Sequence, residues 1–292
     1  MERFLFLTVD GVTNGAVLAA FAAALVIIWR ATRTVNFAQG AMAVLTTYVA
    51  YAVTQASGSY WLGFAAALVA GALLGAAVER GLMRFVPADN HLAAVIVALG
   101  LVTILQALMS AVFGNEYRPM QVPFSRAAGH AARLTLPSPY DVFTFVAVAL
   151  MLASLAWLLG RTALGLRLRA SAFAPDVARL LGVRVSRMLT VGWMLASSAG
   201  ALAAVLVVPT GLGLNPSAMD LVFVSAFAAA VIGGLDSLVG SLVGGLVVGL
   251  VLSYATGYVS SDATPLVVLA LLLVVLLVRP SGLFAPTAVR QV

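Results

Sequence analysis

The chain contains no cysteine and no lysine among its 292 residues, and only 9% of the residues are charged. The absence of cysteine excludes disulfide bonds, thiolate metal ligands and cysteine nucleophiles. The absence of lysine excludes the catalytic residue of a GxxxxGK[ST] phosphate-binding loop. The sequence also lacks GxSxG and HExxH motifs, so it offers no constellation of residues for an enzyme.

Apolar residues dominate what is present: 63% of the chain is hydrophobic and the mean hydropathy is +1.10. This composition is typical of polytopic membrane proteins. We predict an all-α integral membrane protein with approximate spans at 6–29, 36–56, 61–79, 92–113, 141–160, 188–209, 218–235, 241–259 and 264–278. The segments 218–235 and 241–259 meet at GGLDSLVGSLVGG, which favours a broken or re-entrant helix and a total of eight to ten spans.

The placement of arginine predicts the orientation in the membrane. The first apolar stretch, about residues 5–29, is longer than the roughly 7–15 residues of a signal-peptide core, and Arg30 and Arg33 follow it. It is therefore expected to be a retained helix that enters from outside. With the N-terminus outside and the C-terminus cytoplasmic, 12 of the 16 arginines lie on the cytoplasmic side. The exceptions are Arg3, Arg118, Arg126 and Arg133.

The segment from about 114 to 140 is predicted to be a long external loop, with room for a short surface helix. It contains several prolines and no sustained periodicity. Its three arginines fit a docking surface for an external partner or an ordinary solvated loop equally well.

Ionisable residues are nearly absent from the centres of the predicted spans, and Asp10, Glu79 and Asp220 lie near span ends. Because a proton-coupled carrier needs a titratable group within the membrane, the source of energy is expected on another chain. His91 and His130 stand alone in loops. We interpret them as solvated residues, since a metal site needs several ligands at suitable spacing, and we predict no metal site.

Uncharged polar residues are the main candidates for a translocation pathway. Asn36, Gln39 and Gly40 begin the second span, where amide groups can bond a polar solute without the desolvation cost of a charge; Asn36 can also serve only to satisfy backbone groups. Thr46, Thr47, Gln106, Ser197, Ser198 and Ser225 are other deep candidates, although serine and threonine commonly bond back to their own helix.

Glycine is concentrated at helix-packing spacing. Gly71 with Gly75 and Gly245 with Gly249 place small residues four apart, which lets neighbouring backbones approach closely. A denser run marks either a tightly packed centre or the broken helix of a pathway, and it comprises Gly233, Gly234, Gly240, Gly244, Gly245 and Gly249. The predicted pathway residues are therefore Asn36, Gln39, Gly40, Thr46, Gly233 and Gly234.

The loop at 161–187 contains six of the arginines and is predicted to be cytoplasmic. Within it, 163–173 is expected to form one helix, and Pro175 and Gly182 are expected to begin and end a second, short helix. Asp176 suits its first turn, and an apolar face is expected from Val177, Ala178, Leu180 and Leu181. Such a face fits insertion into a partner's groove or contact with lipid headgroups.

Four motifs in this chain resemble those of branched-chain amino-acid ABC importer permeases. The pattern GxxxRAxxxxPxxAxLxGxxV is matched by Gly165, Arg169, Ala170, Pro175, Ala178, Leu180, Gly182 and Val185. VNFAQG at 35–40, AAVIGGLDSLVGSLVGGLVVG at 229–249 and RPSGLF at 279–284 are similar to the others. The length favours a LivH-like subunit over the longer LivM-like one. Ala41, Asp236 and Ala285 depart from the family pattern.

The resemblance implies a single permease domain, 1–292, in the bacterial inner membrane, with the cytoplasmic loop coupling it to ATPases. The expected solutes are branched-chain amino acids or related small polar molecules such as urea and amides. The expected partners are a LivM-like second permease subunit or a second copy of this chain, two cytoplasmic ATP-binding subunits and an external solute-binding protein, with no nucleic acid. ATP and Mg would be held by the partners, and this chain would need no cofactor.

The same resemblance assigns the coupling role to eight residues of the loop: Arg169, Ala170, Pro175, Asp176, Ala178, Arg179, Leu181 and Gly182. Two other functions remain open from the residues alone. One is a stand-alone secondary carrier or channel for a small polar solute. The other is a non-transporting scaffold, in which the small-residue faces would serve only for assembly.

Overall fold

The computed structural model describes residues 2–87, 90–125, 129–131, 134–210, 213–279 and 282–284. The helices are α1 Glu2–Thr32, α2 Gln39–Ser57, α3 Tyr60–Gly81, α4 His91–Phe113, α5 Pro139–Arg161, α6 Ala163–Phe173, α7 Pro175–Leu180, α8 Val185–Val207, α9 Asp220–Gly233, α10 Leu238–Tyr258 and α11 Thr264–Val278. Two short strands, β1 Gly129–Ala131 and β2 Leu134–Leu136, pair antiparallel. The described residues do not include Arg126, Arg133, Pro280, Ser281, Ala285 or Arg290.

The predicted membrane-spanning segments all correspond to helices, and the all-α membrane fold is confirmed. In the described part of the chain, seven helical stretches are long and apolar enough to cross a membrane. The 19-residue α2 is more polar and is not among them. The 14-residue α9 is too short: it spans about 21 Å, against about 30 Å of hydrocarbon. The interrupted segment predicted near 218–235 is therefore a short helix.

Helix α1 lies at the centre of the bundle. Of its most apolar stretch 89% is buried, against 6% for the last span, 261–278. Glycines on α10 allow α10 to touch α1 backbone to backbone, because a Cβ on Gly249 would lie 2.3 Å from the Cα of Gly15. On α3, a Cβ on Gly75 would lie 2.4 Å from the carbonyl oxygen of Trp193 on α8. The small residues therefore allow close packing of α10 on α1 and of α3 on α8.

Long-range contacts show which loops lie at the same end of the bundle. At one end Arg33 pairs with Asp236 at 2.7 Å, and the backbone N–H of Leu283 bonds the carbonyl of Ile232 at 2.8 Å. At the other end the Thr8 and Tyr254 hydroxyls lie 2.8 Å apart. The connections predicted to be cytoplasmic share the first end. Which end faces the cytoplasm stays a prediction.

The segment at 114–140 differs from the expected loop with a short surface helix. Its described part contains the β1–β2 hairpin, and His130 lies in β1. The segment packs on the bundle through aromatic contacts, including Phe124 against Phe143 with ring centroids 5.5 Å apart. Arg118 donates a 2.6 Å hydrogen bond to the carbonyl of Phe113, so its side chain is engaged within the protein. Hairpin pairing depends on contacts that helical periodicity does not reveal.

Candidate functional site

The loop at 161–187 forms the two helices that the sequence predicted. Helix α6 has the predicted bounds, and Pro175 occupies the first turn of α7. Gly182 ends this helix with a φ of 81°, and its N–H bonds the carbonyl of Arg179 at 3.0 Å. The N–H of Val183 bonds Ala178 at 2.9 Å. These bonds satisfy backbone groups at the end of α7, so the short helix is held in place.

An exposed apolar surface covers α7 and the end of α6. Leu180 is 88% exposed, Leu181 78% and Val177 55%. Phe173, which the sequence reasoning missed, is 87% exposed and extends the surface. Ala178 was expected on this face, but it is 2% exposed and points inward, because a small side chain lets α7 pack closely. We call the four exposed residues Phe173, Val177, Leu180 and Leu181 the α7 apolar surface.

The charged residues that were assigned a coupling role lie in two places. Asp176 and Arg179 pair with each other at 2.8 Å on the surface of α7. Ala170 is half-buried near the end of α6, where its carbonyl accepts the N–H of Ala174 at 3.1 Å. Arg169 lies in a pocket with Arg30 of α1. Arg169 also lies one helical turn before Phe173, a member of the α7 apolar surface, on the same helix.

Asn36 and Gln39 form a buried amide network at the start of α2. They are 2% and 0% exposed, and the Nδ2 of Asn36 donates to the Oε1 of Gln39 at 2.9 Å. The Nε2 of Gln39 donates to the carbonyl of Ala196 on α8 at 3.0 Å. The Oδ1 of Asn36 accepts from the N–H of Ala38 at 3.1 Å. In this conformation the two amides link α2 to α8 and bond the backbone N–H of Ala38 at the start of α2.

Most of the deep hydroxyl groups bond to their own helices. Thr46 and Thr47 both donate to the carbonyl of Ala43, at 2.7 and 2.9 Å, and Ser225 donates to Leu221 at 3.0 Å. The hydroxyl of Ser197 is buried without a hydrogen-bond partner among the described residues. The two threonines and Ser225 therefore bond to carbonyl groups of their own helices, as serine and threonine commonly do in membrane helices.

The predicted pathway glycines are packing positions in the structure. A Cβ on Gly40 would lie 3.5 Å from the Cβ of Phe223 on α9. A Cβ on Gly233 would lie 2.0 Å from the carbonyl oxygen of Gly240, so α9 and α10 meet through their backbones. Gly234 turns the chain with a φ of 97°. None of these glycines lines the pocket that contains Arg30 and Arg169.

A polar pair joins α4 and α9, and only one of its two residues was a candidate from the sequence. Gln106 was among the deep polar candidates, and its Nε2 lies 3.2 and 3.3 Å from the two carboxylate oxygens of Asp220. No arginine pairs with Asp220 within the described ranges. Gln106 lies seven residues before the end of α4, about 10 Å along the helix axis. An exposed carboxylate at that depth is costly against lipid, so this face is suited to water or another protein.

Comparisons with known proteins extend over nearly the whole chain. Residues 7–277 match the family described as "Branched-chain amino acid transport system / permease component". The chain is 27% identical to LivH, the high-affinity branched-chain amino acid transport system permease of Escherichia coli K12, over 100% of this chain and 99% of LivH. It is 26% identical to the corresponding permease BraD of Pseudomonas aeruginosa, over 97% of this chain and 96% of BraD.

A solved structure shares the fold. PsaBC from Streptococcus pneumoniae, in complex with Fab, aligns with a TM-score of 0.52 at 14% identity, covering 93% of this chain and 91% of the other. At that identity the likeness concerns the fold alone. The family match covers all of α2 to α10 and most of α1 and α11, and it includes the motifs at 35–40, 165–185 and 229–249. The chain therefore belongs to the permease component family of branched-chain amino acid transport systems, multi-pass membrane proteins that are transport subunits and not enzymes.

Proposed function

We propose that this chain is one of two permease subunits of an ATP-driven importer in a bacterial inner membrane, carrying branched-chain amino acids or related small polar solutes. The single observation that carries the proposal is the α7 apolar surface, displayed by a loop at one end of an apolar bundle. The solute class is supported by what LivH and BraD are named for. The whole chain, 1–292, forms one permease domain.

The α7 apolar surface is the contact with a cytoplasmic ATP-binding subunit. Four large apolar side chains that are 55% to 88% exposed are costly in water and suit a groove on a partner. Two such subunits hold ATP and Mg, and their closure moves α7. The conformation of α7 is set by Pro175, Asp176, Arg179 and Gly182, and the buried Ala178 packs it against its neighbours. Helix α6, which contains Arg169 and Ala170, supports it.

Movement of α7 reaches the centre of the bundle through packed helices. Four residues separate α7 from α8, and α8 accepts the Gln39 hydrogen bond at Ala196. A displacement of α8 therefore acts on the start of α2 and on Asn36. In this arrangement Asn36 and Gln39 control the pathway through the contact of α2 with α8. The close packing around that contact is maintained by Gly40, Thr46, Gly233 and Gly234.

The other partners occupy the remaining surfaces. A second permease subunit, LivM-like or a second copy of this chain, faces the Gln106–Asp220 pair, where an exposed carboxylate at membrane depth is unsuited to lipid. The external solute-binding protein docks at the end that carries the β1–β2 hairpin. The N-terminus is then outside and the C-terminus is cytoplasmic.

Co-purification and uptake test the proposal. Leu180→Asp with Leu181→Asp should abolish association with the ATP-binding subunits and ATP-dependent uptake, because two charges oppose burial in a groove. Phe85→Asp is the matched control, since Phe85 is 76% exposed in a short 3-10 turn outside the loop. Wild-type behaviour of the double variant would refute the coupling role. Uptake by the purified single chain in liposomes without ATP-binding subunits would instead support a stand-alone carrier.

A further inference from the structure

An open pocket lies between α1, α5, α6 and α8. It opens to the surface with a cavity volume of about 30 Å³, and its lining includes Arg30, Arg169, Ile27, Leu159, Leu168 and Gly192. We propose that this pocket binds the phosphate group of an anionic phospholipid, with the two guanidinium groups as ligands.

The charges in the pocket are only partly balanced by the protein, because Asp236 attracts Arg30 while Arg169 and Arg33 repel it. Among the described residues, Arg30 and Arg169 form no ion pair within 4.0 Å, and the three pairs that exist use other arginines: Arg33 with Asp236, Arg84 with Glu79, and Arg179 with Asp176. Two like charges facing one pocket repel each other, and a bound anion removes this repulsion. Arginine is suited to phosphate because its planar donors bond two oxygens at once.

The remaining wall of the pocket is apolar. Ile27, Leu159 and Leu168 line it beside the two arginines. Inorganic phosphate would leave this wall in contact with water, whereas a phospholipid covers it with the start of an acyl chain. The ligand that satisfies both parts of the pocket is an amphiphile with an anionic head.

The depth of the pocket fits the headgroup region. Arg30 is two residues before the end of α1, and Leu159 is two residues before the end of α5. The ends of membrane helices lie where headgroup phosphates are found, and basic pockets between such helices bind anionic lipids. Gly192 keeps the pocket open, since a Cβ there would lie 3.2 Å from the Cβ of Ala31.

Native mass spectrometry of the full-length chain tests the site, with dioleoyl phosphatidylglycerol and dioleoyl phosphatidylcholine as probes. We expect one phosphatidylglycerol to be retained in preference to phosphatidylcholine, and about tenfold weaker retention in Arg30→Gln and Arg169→Gln, from the loss of one charge-assisted contact. Arg167→Gln is the matched control, because Arg167 is exposed on α6 and does not line the pocket. Arg169→Gln alters an exposed side chain, so it separates loss of binding from loss of folding.

Four outcomes would overturn the proposal. Equal retention of the two lipids would show no headgroup recognition, and unchanged retention in both glutamine variants would place the lipid elsewhere. Full displacement of phosphatidylglycerol by inorganic phosphate would identify a site for a soluble anion. Unchanged lipid binding together with lost association of the ATP-binding subunits would identify the arginines as ligands of a partner's carboxylate.

Discussion

Arg33 and Asp236 are 203 positions apart in the sequence, and their side chains form an ion pair with an Nη1–Oδ1 distance of 2.7 Å. The pair joins the α1–α2 connection to the α9–α10 turn. Arg33 itself has a φ of 57°, which places its backbone in the left-handed region. The contact therefore links two connections that lie at the same end of the bundle.

The first prediction concerns this ion pair. The side chains are 50% and 34% exposed, so their coupling should be worth about 0.2–1 kcal/mol. A double-mutant cycle with Arg33→Gln and Asp236→Asn, measured as the free energy of unfolding in detergent, checks this value. A coupling well above that range would mean that the pair is shielded from solvent in the working complex.

The second prediction concerns the buried amide network. Gln39→Leu removes the bond between Gln39 and the carbonyl of Ala196 and leaves the Nδ2 of Asn36 with only the Sδ of Met42, at 3.5 Å, which should cost roughly 1–3 kcal/mol of stability. We expect solute-stimulated uptake to fall in Gln39→Leu and in Asn36→Leu while the complex still assembles. Gln55→Leu, an exposed change on the same helix, should have little effect.

Gly200→Ala gives an independent check on the same network. An added Cβ would lie 2.3 Å from the Nε2 of Gln39, so the amide must move even though it is retained. Uptake should fall as it does in Gln39→Leu. Normal uptake in all three variants would remove the network from the transport mechanism.

The third prediction concerns the contact of α1 with α10. Gly245→Ala would place a Cβ 2.5 Å from the Cα of Ala19, and overpacking of this kind typically costs 1–3 kcal/mol. Gly100→Ala is the control, because nothing lies within 4 Å of its added Cβ and alanine favours a helix by up to about 1 kcal/mol. Thermal unfolding in detergent should show a lower Tm for the first variant and an equal or higher Tm for the second.

The fourth prediction concerns the polar face formed by Gln106 and Asp220. Asp220→Asn keeps the size of the side chain and removes its charge, so uptake or assembly with the second permease subunit should fall severalfold. Asp262→Asn, an exposed carboxylate outside this face, should behave as wild type. If Asp220 faced lipid, Asp220→Leu would raise stability and leave uptake unchanged, and that result would contradict the assignment.

Helix boundaries were largely predictable, and the loop at 161–187 shows why. Pro175 and Gly182 act through their own backbone conformations, so their effect on α7 does not depend on distant residues. The inward side of α7 was not predictable. Ala178 and Leu181 are both apolar, and only the packing of α7 on its neighbours buries one and exposes the other.

Polar partners were harder to predict than helices. Gln39 was recognised as a deep amide, yet its acceptor is the carbonyl of Ala196, 157 positions away. Arg169 was assigned a coupling role on the family motif, and its place in a pocket shared with Arg30 was not predicted. In both cases the deciding contact comes from a helix that is remote in sequence.

The sequence by itself determined the class of the protein, the positions of its apolar helices and the interruptions between them. It could do so because burial in lipid demands long apolar runs with satisfied backbones, which are local properties. Only the tertiary structure decided which helix lies opposite each polar or glycine residue. That choice depends on packing between segments hundreds of residues apart, such as α1 with α10, and it determines whether a buried amide or a pair of arginines is satisfied by the protein or left for a ligand.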